Sequence, residues 1–155
     1  MNEKITKKVG EAGAFAAVLE ATYQSNEKVM KELLGKKAGA VAKTSASQQT
    51  ALKSLCDEAG TVSALTPTVE KTAKKITAMG EMYVGDQWGD SAEVLEWMSF
   101  FIGGAIVHWQ LIAGAGEAMG HTALKRVADT GVAYYTELQD QLKVAASSVG
   151  AARSQ

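Results

Sequence analysis

Apolar residues recur at intervals of three and four along most of the chain, and this spacing predicts α-helices. The first stripe predicts a helix from about residue 5 to residue 34. Its members are Val9, Ala12, Ala16, Leu19, Tyr23, Asn26, Met30 and Leu33. Gly35 is placed to end this helix, because glycine readily adopts the left-handed conformation found at helix C termini.

Four more helices are predicted, over residues 38–59, 67–84, 91–119 and 122–148. Gly60, Gly85 and Gly120 are the expected stops between them. Thr66 and Pro67 are expected to open the short third helix as its N-cap and first residue, where the missing proline N–H costs nothing. Asp90 has the spacing of a capping residue and is expected to begin the fourth helix.

The fourth helix contains twenty consecutive residues without a charged side chain, from Trp97 to Gly116. That length is sufficient to cross a bilayer. His108 and Gln110 near its middle, and Glu96 and Glu117 at its ends without nearby basic residues, argue against a membrane span. We therefore expect a buried core helix packed by neighbours on every face. A membrane span and a conditionally inserting helix are the alternatives.

Composition supports one soluble helical domain. The chain has 155 residues, one proline, a single cysteine that cannot form an internal disulfide, and a net charge of −1. These values predict no nucleic-acid partner and a cytoplasmic location. Residues 1–80 hold twelve basic and eight acidic side chains, whereas residues 81–155 hold four and nine. Either helices of opposite charge lie side by side, or the charges mark a partner surface.

No catalytic pattern stands out. Only two histidines are present, and no nucleophile elbow, phosphate-binding loop or zinc-ligand spacing occurs. Helical bundles commonly hold two metals through Glu-x-x-His pairs, but the chain contains no such pair. We expect His108 to be a neutral core histidine bonded to Gln48, Asn26 or a backbone carbonyl, with a ligand or catalytic role as the alternative. The expected polar core comprises Asn26, Gln48, His108 and Gln110.

Glycine and aromatic residues in the fourth helix suggest an association surface. Glycine allows close approach of two helices, and aromatic rings offer a large apolar area. We expect a symmetric dimer that uses this surface. Its predicted members are Trp97, Phe101, Gly104 and Trp109.

Three short strings, at residues 22–28, 108–111 and 117–120, resemble the ferritin-like superfamily, in particular its small stress-associated bacterial branch. Residues 22–28 (Thr-Tyr-Gln-Ser-Asn-Glu-Lys) are similar to that branch's Thr/Leu-Tyr-x-Ala-Glu-Lys string, with one extra residue. Residues 108–111 (His-Trp-Gln-Leu) are similar to its Glu-His-Tyr-Glu-Ile string, and residues 117–120 (Glu-Ala-Met-Gly) to its Glu-x-Leu-Gly helix end. The resemblance implies an all-α fold, namely an up-down four-helix bundle with a crossover, plus a short additional helix.

Most metal ligands of that family are missing here. Val107 and Gln110 stand where the family places carboxylates beside the histidine, and Gln48 and Ala51 replace its Glu-x-x-His pair. The resemblance therefore implies a scaffold that has lost its iron chemistry.

We accordingly predict a non-enzymatic protein without a cofactor, serving a structural, self-assembly or small-molecule-binding role, and forming a homodimer. One alternative is a divergent metal-binding oxidase or iron-binding protein that uses Glu20, Glu27, His108 and Glu117. The second alternative is a membrane-inserting helical protein.

Overall fold

The computed structural model describes all residues from Met1 to Gln155, and it contains helices and no strand. The prediction of an all-α protein is confirmed. The helices are α1 (Glu3–Ser25), α2 (Glu27–Leu34), α3 (Val41–Glu58), α4 (Val62–Val84), α5 (Ser91–Ala118) and α6 (Thr122–Arg153), with a 3₁₀ helix over Gly35–Ala40.

The predicted stops agree with the structure. Four residues have a positive φ, and all are glycines at or just beyond helix ends: Gly35, Gly60, Gly85 and Gly120. The Asp90 side chain caps α5 by accepting a hydrogen bond from the Ala92 N–H at 2.9 Å, as the spacing predicted.

The expected first helix is divided in two, so its prediction as one element was wrong. Asn26 leaves the helical conformation, and its side-chain amide donates to the Thr22 carbonyl at 3.1 Å. Asparagine competes for backbone hydrogen bonds in this way, and the helix axis can then change direction. As a result α2 packs against α5 and α6, whereas α1 packs against α3, α4 and α5.

Helix α4 begins at Val62, five residues before the predicted start at Pro67. Leu65 is buried against the core, and the helical conformation here brings its carbonyl close to α1 at Gly10. Because Pro67 is only the sixth residue of α4, its ring removes one hydrogen bond, the one to the Ser63 carbonyl. Leu65 is the one buried residue of the preceding turn, and its burial favours the helical conformation there.

Helix α6 extends to Arg153, beyond the predicted end at residue 148, and the expectation of a frayed tail from Gly150 was wrong. The Arg153 guanidinium forms an ion pair with Asp90 at the start of α5. This contact fixes the last turn.

Helix α1 is the most enclosed element. Between Val9 and Leu19 only Glu11 and Ala17 are not buried. Gly10 faces Thr68, whereas the Phe15 ring packs against the Phe101 ring. The other contacts between α1 and α4 show that these two helices run parallel, and those between α1 and α5 show that these two run antiparallel. Helices α5 and α6 form an antiparallel hairpin closed by Trp109 against Tyr135.

The expectation that α5 is packed on every face is wrong. One face carries the buried residues, which include Trp97, Phe101 and Trp109, and the opposite face is exposed. Only 39% of the most apolar 18-residue stretch of α5 is buried. The length and composition of α5 would also allow it to cross a membrane.

Candidate functional site

Two adjoining features of α5 are candidates for function. The first is a cleft of about 420 Å³ between α1, α4 and α5, called the α1–α4–α5 cleft. Its lining comprises Lys8, Glu11, Phe15, Thr72, Lys75, Ile76, Met79, Trp97, Phe100, Phe101, Gly104 and His108. The second is a stripe of α5 formed by Phe100, Gly103, Val107, Leu111 and Gly114, called the α5 outer face, in which Gly103 is half-buried and the other four residues are exposed.

Charged groups meet at one end of the cleft. Lys8 Nζ lies 2.6 Å from Glu11 Oε2, and His108 Nε2 lies 3.2 Å from the same oxygen. His108 Nδ1 lies 2.8 Å from the Gly104 carbonyl oxygen. Because a carbonyl oxygen only accepts, Nδ1 carries a proton and donates it to this bond. The Glu11 side chain is 12% exposed, so its carboxylate is held between two nitrogen groups with little water.

Aromatic rings form the rest of the cleft wall. Phe15 lies 5.2 Å from Phe101 and 4.9 Å from the His108 ring, measured between centroids. Trp97 lies 6.3 Å from Phe101. Phe15, Trp97 and Phe101 are buried, whereas Phe100 at the mouth is 63% exposed. Such an arrangement suits an apolar molecule with a polar end.

The α5 outer face is apolar and uncharged along its length. Phe100, Val107 and Leu111 are 63%, 57% and 51% exposed. The five members of the face are spaced by three, four, four and three residues, so they lie on one line along the helix. Large exposed side chains aligned in this way are typical of a surface that another apolar surface covers.

Gly103 and Gly114 on this face lie where no contact within the chain requires glycine. A Cβ atom placed on Gly103 or Gly114 would meet no atom within 4 Å. At Gly104 it would lie 3.3 Å from the Phe15 ring, at Gly116 it would meet the Lys125 backbone, and at Gly131 it would fall on the Trp109 ring. A glycine inside a helix costs about 1 kcal/mol relative to alanine where a Cβ atom would meet nothing. Packing within the chain therefore explains why positions 104, 116 and 131 are glycine, but it does not explain Gly103 and Gly114.

The predicted association surface was wrong for its aromatic members. Trp97, Phe101 and Trp109 are at most 6% exposed, and Gly104 contacts Phe15. The helical register turns these side chains toward α1, α4 and α6. Exposed apolar residues do occur on α5, but they lie on the α5 outer face and not on the face that was predicted.

The predicted polar core does not assemble. Asn26 lies at the junction of α1 and α2, Gln110 is exposed, and His108 binds Glu11 and Gly104 instead. Of the three partners expected for His108, only a backbone carbonyl is present. The sequence reveals helix faces but not how two helices align along their lengths, so cross-helix partners could not be assigned.

Gln48 is buried in a different place. Its Oε1 accepts a hydrogen bond from the Tyr135 hydroxyl at 3.3 Å, while its Nε2 and the neighbouring Ser45 hydroxyl have no partner within the chain. Burial raises the pKa of the Tyr135 hydroxyl and raises the pKa of Tyr134 to about 12. Both tyrosines are therefore neutral structural groups.

The four residues of the metal-binding alternative do not form a site. Glu27 is exposed and pairs with Lys31 at 2.5 Å, and Glu117 is exposed. Glu20 lies 3.4 Å from the Gln49 amide, and His108 lies against Glu11. No three histidine, cysteine, aspartate or glutamate side chains come together anywhere in the chain. The donor set therefore does not fit the di-iron centre that a ferritin-like scaffold would imply.

Sequence reasoning missed Glu11, Lys8 and Lys75 as site residues. A second stripe, formed by Lys8, Glu11, Phe15 and Val18 at helical spacing, runs beside the first stripe of α1 and was the available signal. The cleft can hold an apolar molecule with a charged group, and the α5 outer face can pack against another helix. No protein-family model, curated protein or solved structure matches this chain.

Proposed function

We propose that the protein is a non-enzymatic helical-bundle protein of the cytoplasm that self-associates as a homodimer through the α5 outer face. The observation that carries this proposal is an exposed apolar stripe containing two glycines that no intramolecular contact requires. Glycine at such positions allows a second helix to approach closely. A two-fold dimer uses the same surface on both copies, so one stripe suffices.

We further propose a ferritin-like scaffold. Helices α1, α3, α5 and α6 would be its four main helices, and α4 would be the additional helix in the crossover. The parallel course of α1 and α4 supports this assignment, because α4 then returns the chain along the length of the bundle before α5 begins. The lack of converging carboxylates favours a structural role over iron chemistry.

Sedimentation equilibrium tests the dimer. The wild-type chain is expected to shift from monomer to dimer between about 1 and about 500 micromolar, the range of weak interfaces with a small apolar core. Val107→Lys places a charge in the middle of the face and should keep the chain monomeric throughout. A wild-type monomer at the highest concentration would refute the proposal.

Val144→Lys is the matched control. Val144 is 62% exposed on α6, close to the 57% of Val107, and the substitution is the same. The control should associate like the wild type. Equal loss of association in both variants would mean that added charge, and not the α5 outer face, governs the equilibrium.

A membrane-inserting protein is the second candidate, because the length and composition of α5 would allow it to cross a bilayer. Insertion would expose the buried face of α5, including Trp109, to lipid. Dye release from anionic and zwitterionic vesicles measures this directly. Release abolished by Val107→Lys and retained by Val144→Lys would favour insertion, whereas full solubility without release would eliminate it.

A further inference from the structure

The α1–α4–α5 cleft has a polar end and an apolar end. Lys8, Glu11 and His108 lie at the end formed by the first half of α1 and the second half of α5. Met79 and Trp97 lie at the other end, near the loop that joins α4 to α5. The volume of about 420 Å³ is within the usual range of small-molecule pockets.

The cleft as a whole has an excess of positive charge. Glu11 is paired with Lys8 at 2.6 Å, so its charge is compensated. Lys75 also lines the cleft, one helical turn from Met79, and forms no ion pair. An entering anion would therefore meet one uncompensated ammonium group, whereas an entering cation would meet a carboxylate that is already occupied.

The core holds the aromatic rings at the apolar end of the cleft in fixed positions. The Phe15, Trp97 and Phe101 rings are each at most 7% exposed, and they contact one another across α1 and α5. Their positions are fixed by the core, so a ligand would not have to order them. A preformed aromatic wall reduces the entropic cost of binding.

We propose that this cleft binds a small anionic amphiphile, namely a carboxylate with an unbranched apolar body. Its carboxylate would lie at Lys75, and its chain would lie along the aromatic wall formed by Phe15, Trp97 and Phe101. Phe100 at the mouth of the cleft also belongs to the α5 outer face, but none of the other lining residues does.

Isothermal titration calorimetry with decanoate, decanol and decylamine tests the proposal. These probes share one apolar chain and differ in the charge of the head group. Decanoate is expected to bind about twofold to fivefold more tightly than decanol, and decylamine more weakly than either, since an ion pair with an exposed lysine contributes about that factor. Equal affinity for decanoate and decylamine, or no binding of decanoate, would overturn the proposal.

Two variants locate the charge. Lys75→Met removes the ammonium group and keeps an apolar side chain of similar length, so decanoate binding should fall to the level of decanol while decanol binding is unchanged. Lys74→Met is the matched control, because Lys74 is exposed on the next position of α4 and does not line the cleft. Unchanged decanoate binding in Lys75→Met, or an equal loss in both variants, would contradict the assignment.

The same titration on Val107→Lys separates the two proposals. Decanoate should bind this variant as it binds the wild type, whether or not the wild type forms a dimer. Loss of binding in Val107→Lys would show that a single chain does not complete the site, and the inference would then be wrong.

Discussion

Replacing glycines one at a time with alanine distinguishes the α5 outer face from the packed core. Gly103→Ala adds a methyl group that meets no atom within 4 Å, so the only effect within one chain is the higher helix propensity of alanine. The free energy of unfolding of the monomer should therefore rise by about 0.5–1 kcal/mol. Gly114→Ala should behave in the same way for the same reason.

Gly131→Ala should have the opposite sign. Its methyl group would fall on the ring of Trp109, which is completely buried and cannot move aside. Overpacking costs about 1–3 kcal/mol, sometimes more, and exceeds the gain in helix propensity. We expect a net loss of about 1–2 kcal/mol in the free energy of unfolding.

Urea denaturation followed by circular dichroism measures these differences, at a protein concentration low enough to keep the chain monomeric. For Gly103→Ala, sedimentation at high concentration should also show weaker association, because the methyl group separates the two helices. Greater monomer stability combined with weaker association is the expected signature. Destabilisation of the monomer by Gly103→Ala, or stabilisation by Gly131→Ala, would refute the assignment of these two helix faces.

Three further results are expected. Cys56 is fully buried and burial raises the pKa of its thiol, so a disulfide reagent should label it on the order of a hundredfold more slowly in the native protein than in urea; equal rates would contradict its burial. Pro67→Ala should raise the free energy of unfolding by about 1 kcal/mol, because it restores one α4 hydrogen bond at some cost in unfolded-state entropy, and a loss of stability would show that α4 needs the proline. The Ala92 N–H and the Arg153 guanidinium lower the pKa of Asp90, so its contribution is present above the unfolded-state value and is lost as pH falls through the lower folded-state value. Asp90→Asn should remove this part of the acid dependence of the urea midpoint below about pH 4, and an unchanged profile would contradict the pairing.

The helix ends were largely predictable, because glycine, asparagine and proline act locally. Gly35, Gly60, Gly85 and Gly120 have the expected conformation. Asn26 and Pro67 misled the prediction since both depend on tertiary packing: α2 must turn toward α6, and Leu65 must reach the core. Local signals identify candidate breaks, but burial decides which of them are used.

The site was much less predictable than the helices. Glu11 and His108 are 97 positions apart in the chain, and their contact depends on how α1 and α5 align. The apolar composition of α5 gave its helix but not its exposed side, because a helix with apolar residues on all faces carries no signal of orientation. Gly103 and Gly114 indicate which side of α5 is open only once the structure shows that no atom lies near them.

Cross-linking through Val107 tests self-association most directly. Val107 is the midpoint of the stripe from Phe100 to Gly114, so in a two-fold dimer it lies next to its own copy across the axis. Native Cys56 is buried, and a cysteine introduced at position 107 would be the accessible thiol. Val107→Cys should form an interchain disulfide under mild oxidation, whereas Val144→Cys on α6 should not; failure of Val107→Cys to cross-link, or equal cross-linking by both, would contradict a dimer built on the α5 outer face.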